Sequence, residues 1–120
     1  VDDAGKLTYA RCRGLLSRLL EEMQAVLGDD LLSVALFGSV ARGEGGQTSD
    51  LDLLIVHRGR QDAMAHRFVG VLQELRQSPE YRSLTGEGFL PDPFPVFFTR
   101  DRMKAHPWLL LDTLDHGIIL

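Results

Sequence analysis

The chain has 120 residues, 44% of them apolar and 25% charged, with a net charge of −4 and a pI near 5.5. These values describe one globular domain, residues 1–120, with a modest core, and argue against the basic footprint that broad nucleic-acid binding needs. No apolar run approaches the length of a membrane span and no signal pattern opens the chain, so the expected location is cytoplasmic.

Residues 5–27 carry Cys12, Leu15, Leu16, Leu19, Leu20, Met23, Val26 and Leu27 at three- and four-residue steps, which predicts an amphipathic helix ended by Gly28. Cys12, the single cysteine, falls on that apolar stripe and reads as a small core residue rather than a nucleophile. Residues 31–37 form a buried strand. Ser39 stands where a helix N-cap belongs, with a short helical turn over 40–43. Residues 44–49 are a Gly-rich polar loop, in which Gly45-Gly46 serves flexibility. Residues 51–56, almost wholly apolar after Asp52, predict a central strand.

A second long helix is predicted over 61–77, with Met64, Phe68, Val71, Leu72 and Leu75 on one stripe and Pro79 as its stop. Residues 80–93 read as irregular. Residues 94–99 form a third strand, and Pro95 marks it as an edge strand or as a strand start. Thr99 caps a short helix through Ala105, Pro107 opens a last helix over 108–115 that Gly117 ends, and 118–120 form a short fourth strand. This order predicts an α/β (α+β) domain, a small mixed sheet with helices packed mainly on one face.

The chemistry concentrates in residues 37–52. Gly38-Ser39 is followed by ten residues and then by Asp50-Leu51-Asp52. Carboxylates at i and i+2 of a strand share a face, while Leu51 and Leu53 turn into the core. A tight Gly-Ser turn offers amides and a hydroxyl to an anion. Gly38 allows close approach where a side chain would block it. Together these features suit Mg²⁺-dependent phosphoryl chemistry: Asp50 and Asp52 on metal, Gly38 and Ser39 on the phosphates of a nucleoside triphosphate. Arg42 reaches either a phosphate or an ion pair with Glu44 or Asp50, and Ser49 caps the loop or orients Asp50. His57, His66, His106 and His116 lack ligand spacing, so zinc is not expected, and His57 reads as a solvated strand end. Trp108, Leu111 and Leu114 read as packing.

Gly-Ser, ten residues, then Asp-x-Asp between two apolar strands resembles the nucleotidyltransferase superfamily that includes DNA polymerase beta. The form Gly-Ser-Val-Ala-Arg-Gly ending in Ser-Asp-Leu-Asp-Leu-Leu is similar to its small prokaryotic branch, the minimal nucleotidyltransferases. The resemblance implies transfer of a nucleoside monophosphate, with ATP the expected donor and Mg²⁺ or Mn²⁺ the metal, to an acceptor hydroxyl. It also implies a third carboxylate on a later strand, often the general base. The matching strand, Pro95-Val96-Phe97-Phe98-Thr99, has no acid. Asp92 is the nearest candidate: it shares strand parity with Phe94 and Val96 but sits between two prolines, with Glu87 and Asp101 behind it. Some members of the branch are antitoxins that adenylylate a HEPN-type partner protein, so a protein acceptor is an implied partner. The rival expectation is a catalytically weak or inactive nucleotide-binding or protein-interaction module of the same fold, with the third carboxylate as discriminator.

Overall fold

Apolar spacing along two helices and alternation along three strands build one layered core. The computed structural model describes residues 5–43, 45–46, 50–105 and 118–120. Helix α1 runs over Tyr9–Leu27 and buries Cys12, Leu15, Leu16, Leu19, Met23 and Leu27. It starts later than the predicted residue 5 because Leu7 is held in a β-bridge, its N–H donating to Gly45 O at 3.0 Å. Thr8 is then the N-cap, its hydroxyl accepting from Arg11 N at 3.3 Å. Gly28, at φ 57°, ends α1 and leads through a 3₁₀ turn, Gly28–Asp30, into strand β1, Leu31–Phe37.

A short helix α2, Gly38–Ala41, follows β1 directly. Strand β2 spans Leu51–His57, helix α3 Gln61–Arg76, helix α4 Pro79–Gly86, strand β3 Pro93–Thr99, helix α5 Arg100–Lys104 and strand β4 Ile118–Ile119. The sheet order is β3-β2-β1-β4. β1 is antiparallel to both β2 and β4, and β2 is parallel to β3, so β2 is central and Pro95 lies on an edge strand.

Helices α1 and α3 cover one face of the sheet. There Leu36, Leu51, Leu53, Ile55 and Phe97 meet Leu19, Met23, Phe68 and Val71 in one buried cluster. Each such side chain removed from water contributes about 1.5–3 kcal/mol. The other face carries a smaller cluster, with Ala35, Leu54 and Phe98 buried and Phe37, Val56, Val96 and Met103 partly so. Strand parity thus sends odd-numbered β2 residues to the helices and even-numbered ones, Asp52 included, to the second face.

Four expectations need correction. Residues 80–93 are not irregular throughout: Pro79 occupies the first turn of α4 instead of only stopping α3. Ser78 is its N-cap, donating through its hydroxyl to Leu75 O at 2.6 Å and accepting from Tyr81 N at 3.2 Å. Ser39 is not an N-cap, since α2 begins at Gly38 with Phe37 in the cap position. Gly45 is not a flexible link but a buried contact, because a Cβ there would overlap Leu7 O and meet Val40 Cγ2 at 3.0 Å. His57 is not solvated: it is wholly buried, packs edge-on against Phe97 at 6.1 Å, and its Nδ1–H donates to Gly59 O at 3.0 Å. The predicted helix over 108–115 with Pro107 and Gly117, and His106 and His116, lie outside the described residues.

Candidate active site

The site begins where β1 ends. Gly38 adopts φ 77°, a backbone region that disfavours L side chains, and so turns the chain into α2. Val40 is wholly buried and anchors the turn, which Arg42 N closes by donating to Gly38 O at 3.2 Å. Amides that open such a turn point along its axis and favour an anion. Antiparallel pairing sets Phe37 opposite Asp52, which brings the turn against the β2 carboxylate. A Cβ at Gly38 would overlap Asp52 Oδ2 and lie 3.0 Å from its Cγ. The glycine is therefore required by its backbone angle and also by the carboxylate packed on it.

Asp50 is exposed just before β2, and Asp52 is half-buried within it. Burial raises the Asp52 carboxyl above its ordinary value, the Asp50 charge raises it further, and Arg42 offsets part of the rise. Arg42 thus acts on Asp52 across the turn. Two like charges, one of them partly desolvated, form a place where a divalent cation relieves repulsion. Mg²⁺ is commonly held by one or two carboxylates together with substrate phosphates, which this donor set fits.

Asp92 is not brought to this pair. Its backbone carbonyl accepts from Leu51 N at 3.0 Å, which fixes it beside the start of β2. Its side chain turns instead to the helical layer, accepting from Tyr81 hydroxyl at 2.9 Å and from Arg76 Nε at 3.4 Å. Burial and then Asp92 hold the Tyr81 phenol above its ordinary value, so it stays a donor. Glu87 pairs with Arg11 at 3.4 Å, and Asp101 lies on α5 at the far end of β3. Among the described residues no three acidic, His or Cys side chains gather where they could hold a metal. Ser49 and Glu44 lie outside the described residues.

The family model for the nucleotidyltransferase domain matches residues 16–108, from within α1 to past α5. The chain belongs to this family. The nucleotidyltransferase domain is also similar to a Methanocaldococcus jannaschii protein named as a candidate protein adenylyltransferase, MJ1305. The two are 45% identical over 42 residues, a stretch covering 35% of this chain and 29% of that protein's length. A solved structure described as a candidate minimal nucleotidyltransferase superposes with a TM-score of 0.51 at 25% identity, over 90% of this chain and 94% of that one.

Two cavities among the described residues of this nucleotidyltransferase domain lie away from its carboxylates. One of about 360 Å³ lies between α1 and β1, lined by Leu20, Gly28 and Leu120, and a second of about 360 Å³ lies by His57, Arg58 and Arg100. Neither holds an acidic pair on a strand beside a glycine turn, so chemistry rather than concavity locates the site. The structure adds one residue the sequence did not single out. Phe94 stands beside Asp52 on the parallel partner strand and is 56% exposed. Only the β2–β3 register reveals it, since nothing in the local sequence ties residue 94 to residue 52. Among the described residues no helix is long and apolar enough to cross a membrane.

Proposed function

We propose that this domain binds a nucleoside triphosphate, ATP by preference, with Mg²⁺ or Mn²⁺, and transfers its nucleoside monophosphate to an acceptor hydroxyl. The observation that carries the reading is the Gly38 turn seated directly on the Asp52 carboxylate, with Asp50 two residues away and Arg42 across the turn. Gly38, Ser39 and Arg42 bind the β- and γ-phosphates, and Ser49, which precedes Asp50 in the sequence, is a further candidate for nucleotide binding. Asp50 and Asp52 hold the cation. When bound, the cation neutralises charge on the phosphates and orients the α-phosphate. The acceptor oxygen forms a bond to the α-phosphorus, the α–β phosphoanhydride bond breaks, and pyrophosphate leaves with its electron pair. The acceptor proton passes to solvent or to a base on the acceptor's side, because Asp92 is already engaged by Tyr81 and Arg76.

A hydroxyl on a partner protein is the acceptor this reading favours, supported by the name of the archaeal relative; a HEPN-type protein is the candidate the motif's resemblance suggests. The alternative, a nucleotide-binding or protein-interaction module without turnover, is supported by the lack of a third acid near Asp50 and Asp52 among the described residues. Calorimetric titration with Mg-ATP, of the native chain and Asp52→Asn, tests the binding half. Metal-dependent binding lost in the variant supports the site, and no binding by the native chain counts against the enzyme reading and moves the search to protein partners. Transfer of label from α-labelled ATP to a partner protein then separates enzyme from module.

A further inference from the structure

We infer that Phe94 is the surface on which the base of the bound nucleotide stacks. The inference rests on the proposed nucleotide site and deepens it. Parallel pairing puts Phe94 directly beside Asp52, and in a parallel pair such neighbours share a face. The second-face cluster gives the same answer independently, since Leu54 and Val56 of β2 gather there with Val96 and Phe98 of β3. Phe94 therefore projects on the side of the sheet that carries the carboxylate. It is 56% exposed, whereas Phe98, two pleats further on the same face, is buried.

The order of groups across the sheet gives direction. The phosphate turn closes β1, the carboxylates open β2, and Phe94 lies near the start of β3. From turn to ring is two strand spacings, about 10 Å. A triphosphate held at Gly38 and Ser39, with Asp50 and Asp52 as the residues that would hold its cation, would run across β2 and bring its nucleoside end out on the β3 side. β3 neighbours β2 directly and is an edge strand, so among the described residues no further strand stands between that end and the ring. An aromatic face accepts any base, because every base has a π-face, and its removal weakens binding by about tenfold or more. Phe94 thus occupies the side of Asp52 where another carboxylate would add to the charge, and contributes apolar affinity there in its place.

The test is calorimetry with two probes, Mg-ATP and Mg-tripolyphosphate, on the native chain, Phe94→Ala, Phe94→Leu and Phe94→Tyr. Phe94→Ala and Phe94→Leu should each bind Mg-ATP about tenfold more weakly while holding Mg-tripolyphosphate within about twofold, and Phe94→Tyr should restore the native value. Phe94→Leu keeps apolar bulk without a ring face, so the result does not depend on whether the alanine variant folds. Unchanged Mg-ATP affinity in both variants, or equal loss of both probes, overturns the stacking role. Native binding of neither probe instead overturns the nucleotide reading itself, so the two failures are distinguishable.

Discussion

Gly38→Ala separates backbone strain from a clash with the Asp52 carboxylate. Gly38 and Gly43 have nearly the same backbone angle, φ 77° and 76°, yet a Cβ at Gly43 meets nothing within 4 Å while one at Gly38 overlaps Asp52 Oδ2. The left-handed conformation costs an alanine about 1–2 kcal/mol at either position. At Gly38 the Asp52 side chain must also leave its rotamer or the turn must lift, adding about 0.5–1.5 kcal/mol. The expected losses in unfolding free energy are therefore about 1–2 kcal/mol for Gly43→Ala and about 1.5–3.5 kcal/mol for Gly38→Ala. At about 4 °C per kcal/mol for a domain of this size, thermal melts resolve the difference. In an Asp52→Ala background the two glycine variants should become nearly equal, a coupling that a double-mutant cycle reads directly. Mg-ATP binding should fall below detection in Gly38→Ala and survive in Gly43→Ala. Equal destabilisation by the two variants, with no coupling to Asp52, would refute the close packing of turn on carboxylate.

The Asp52 carboxyl is raised, so the folded chain holds its proton more tightly than the unfolded chain, and this share of stability is lost as pH rises through the folded value. Asp52→Asn should thus melt above the native chain in metal-free buffer at neutral pH, with the gap closing below the ordinary value of 3.8, while Mg-ATP binding is lost. Tyr81→Phe removes the donor to Asp92 and should cost about 1–2 kcal/mol in urea unfolding, with Mg-ATP affinity within about twofold; a large loss of affinity would mean that the Asp92 brace shapes the site. Burial pushes the Cys12 thiol up to about 11, so at mildly alkaline pH a disulfide reagent should label it only as fast as the chain unfolds, a rate checked against unfolding kinetics.

Periodicity made the two long helices legible, because α1 and α3 bury stripes that local spacing alone defines. The central place of β2 was legible for a related reason: a run apolar on both faces needs cover on both. The edge position of β3 matches one of the two readings that Pro95 allowed, an edge strand or a strand start, since proline has no N–H for a second neighbour. Helix α4 was hidden by giving Pro79 only its role as a stop, although Ser78, Pro79 and Glu80 form a helix-start pattern of cap, preset φ and first-turn acid. His57 was misjudged because strand parity was not carried to the last residue of β2; parity with Leu53 and Ile55 puts it under the helices.

The third acid shows where local reading stops. Parity with Phe94 and Val96 would have sent Asp92 toward Asp52, but parity holds only while the backbone stays pleated, and Asp92 precedes β3 between Pro91 and Pro93. Freed from the pleat, its direction is set by partners that lie far off in sequence: the Tyr81 hydroxyl on α4 and the Arg76 guanidinium at the end of α3. A carboxylate with those two donors is more stable there than beside Asp50 and Asp52, where burial and then the Asp50 charge already raise the Asp52 carboxyl. The same repulsion explains the tolerance for Phe94 at the neighbouring register position. An uncharged ring adds nothing to the charge that a cation must balance, and its exposed face is available to a ligand that the carboxylates alone would repel. If this balance governs the site, Phe94→Asp should raise the Asp52 carboxyl further, tighten binding of Mn²⁺ alone, and weaken Mg-ATP relative to Mg-tripolyphosphate. Calorimetry on that variant, with the metal alone and then with each probe, reads the two affinity changes, and unchanged Mn²⁺ affinity would show that the residue beside Asp52 does not set the charge of the site.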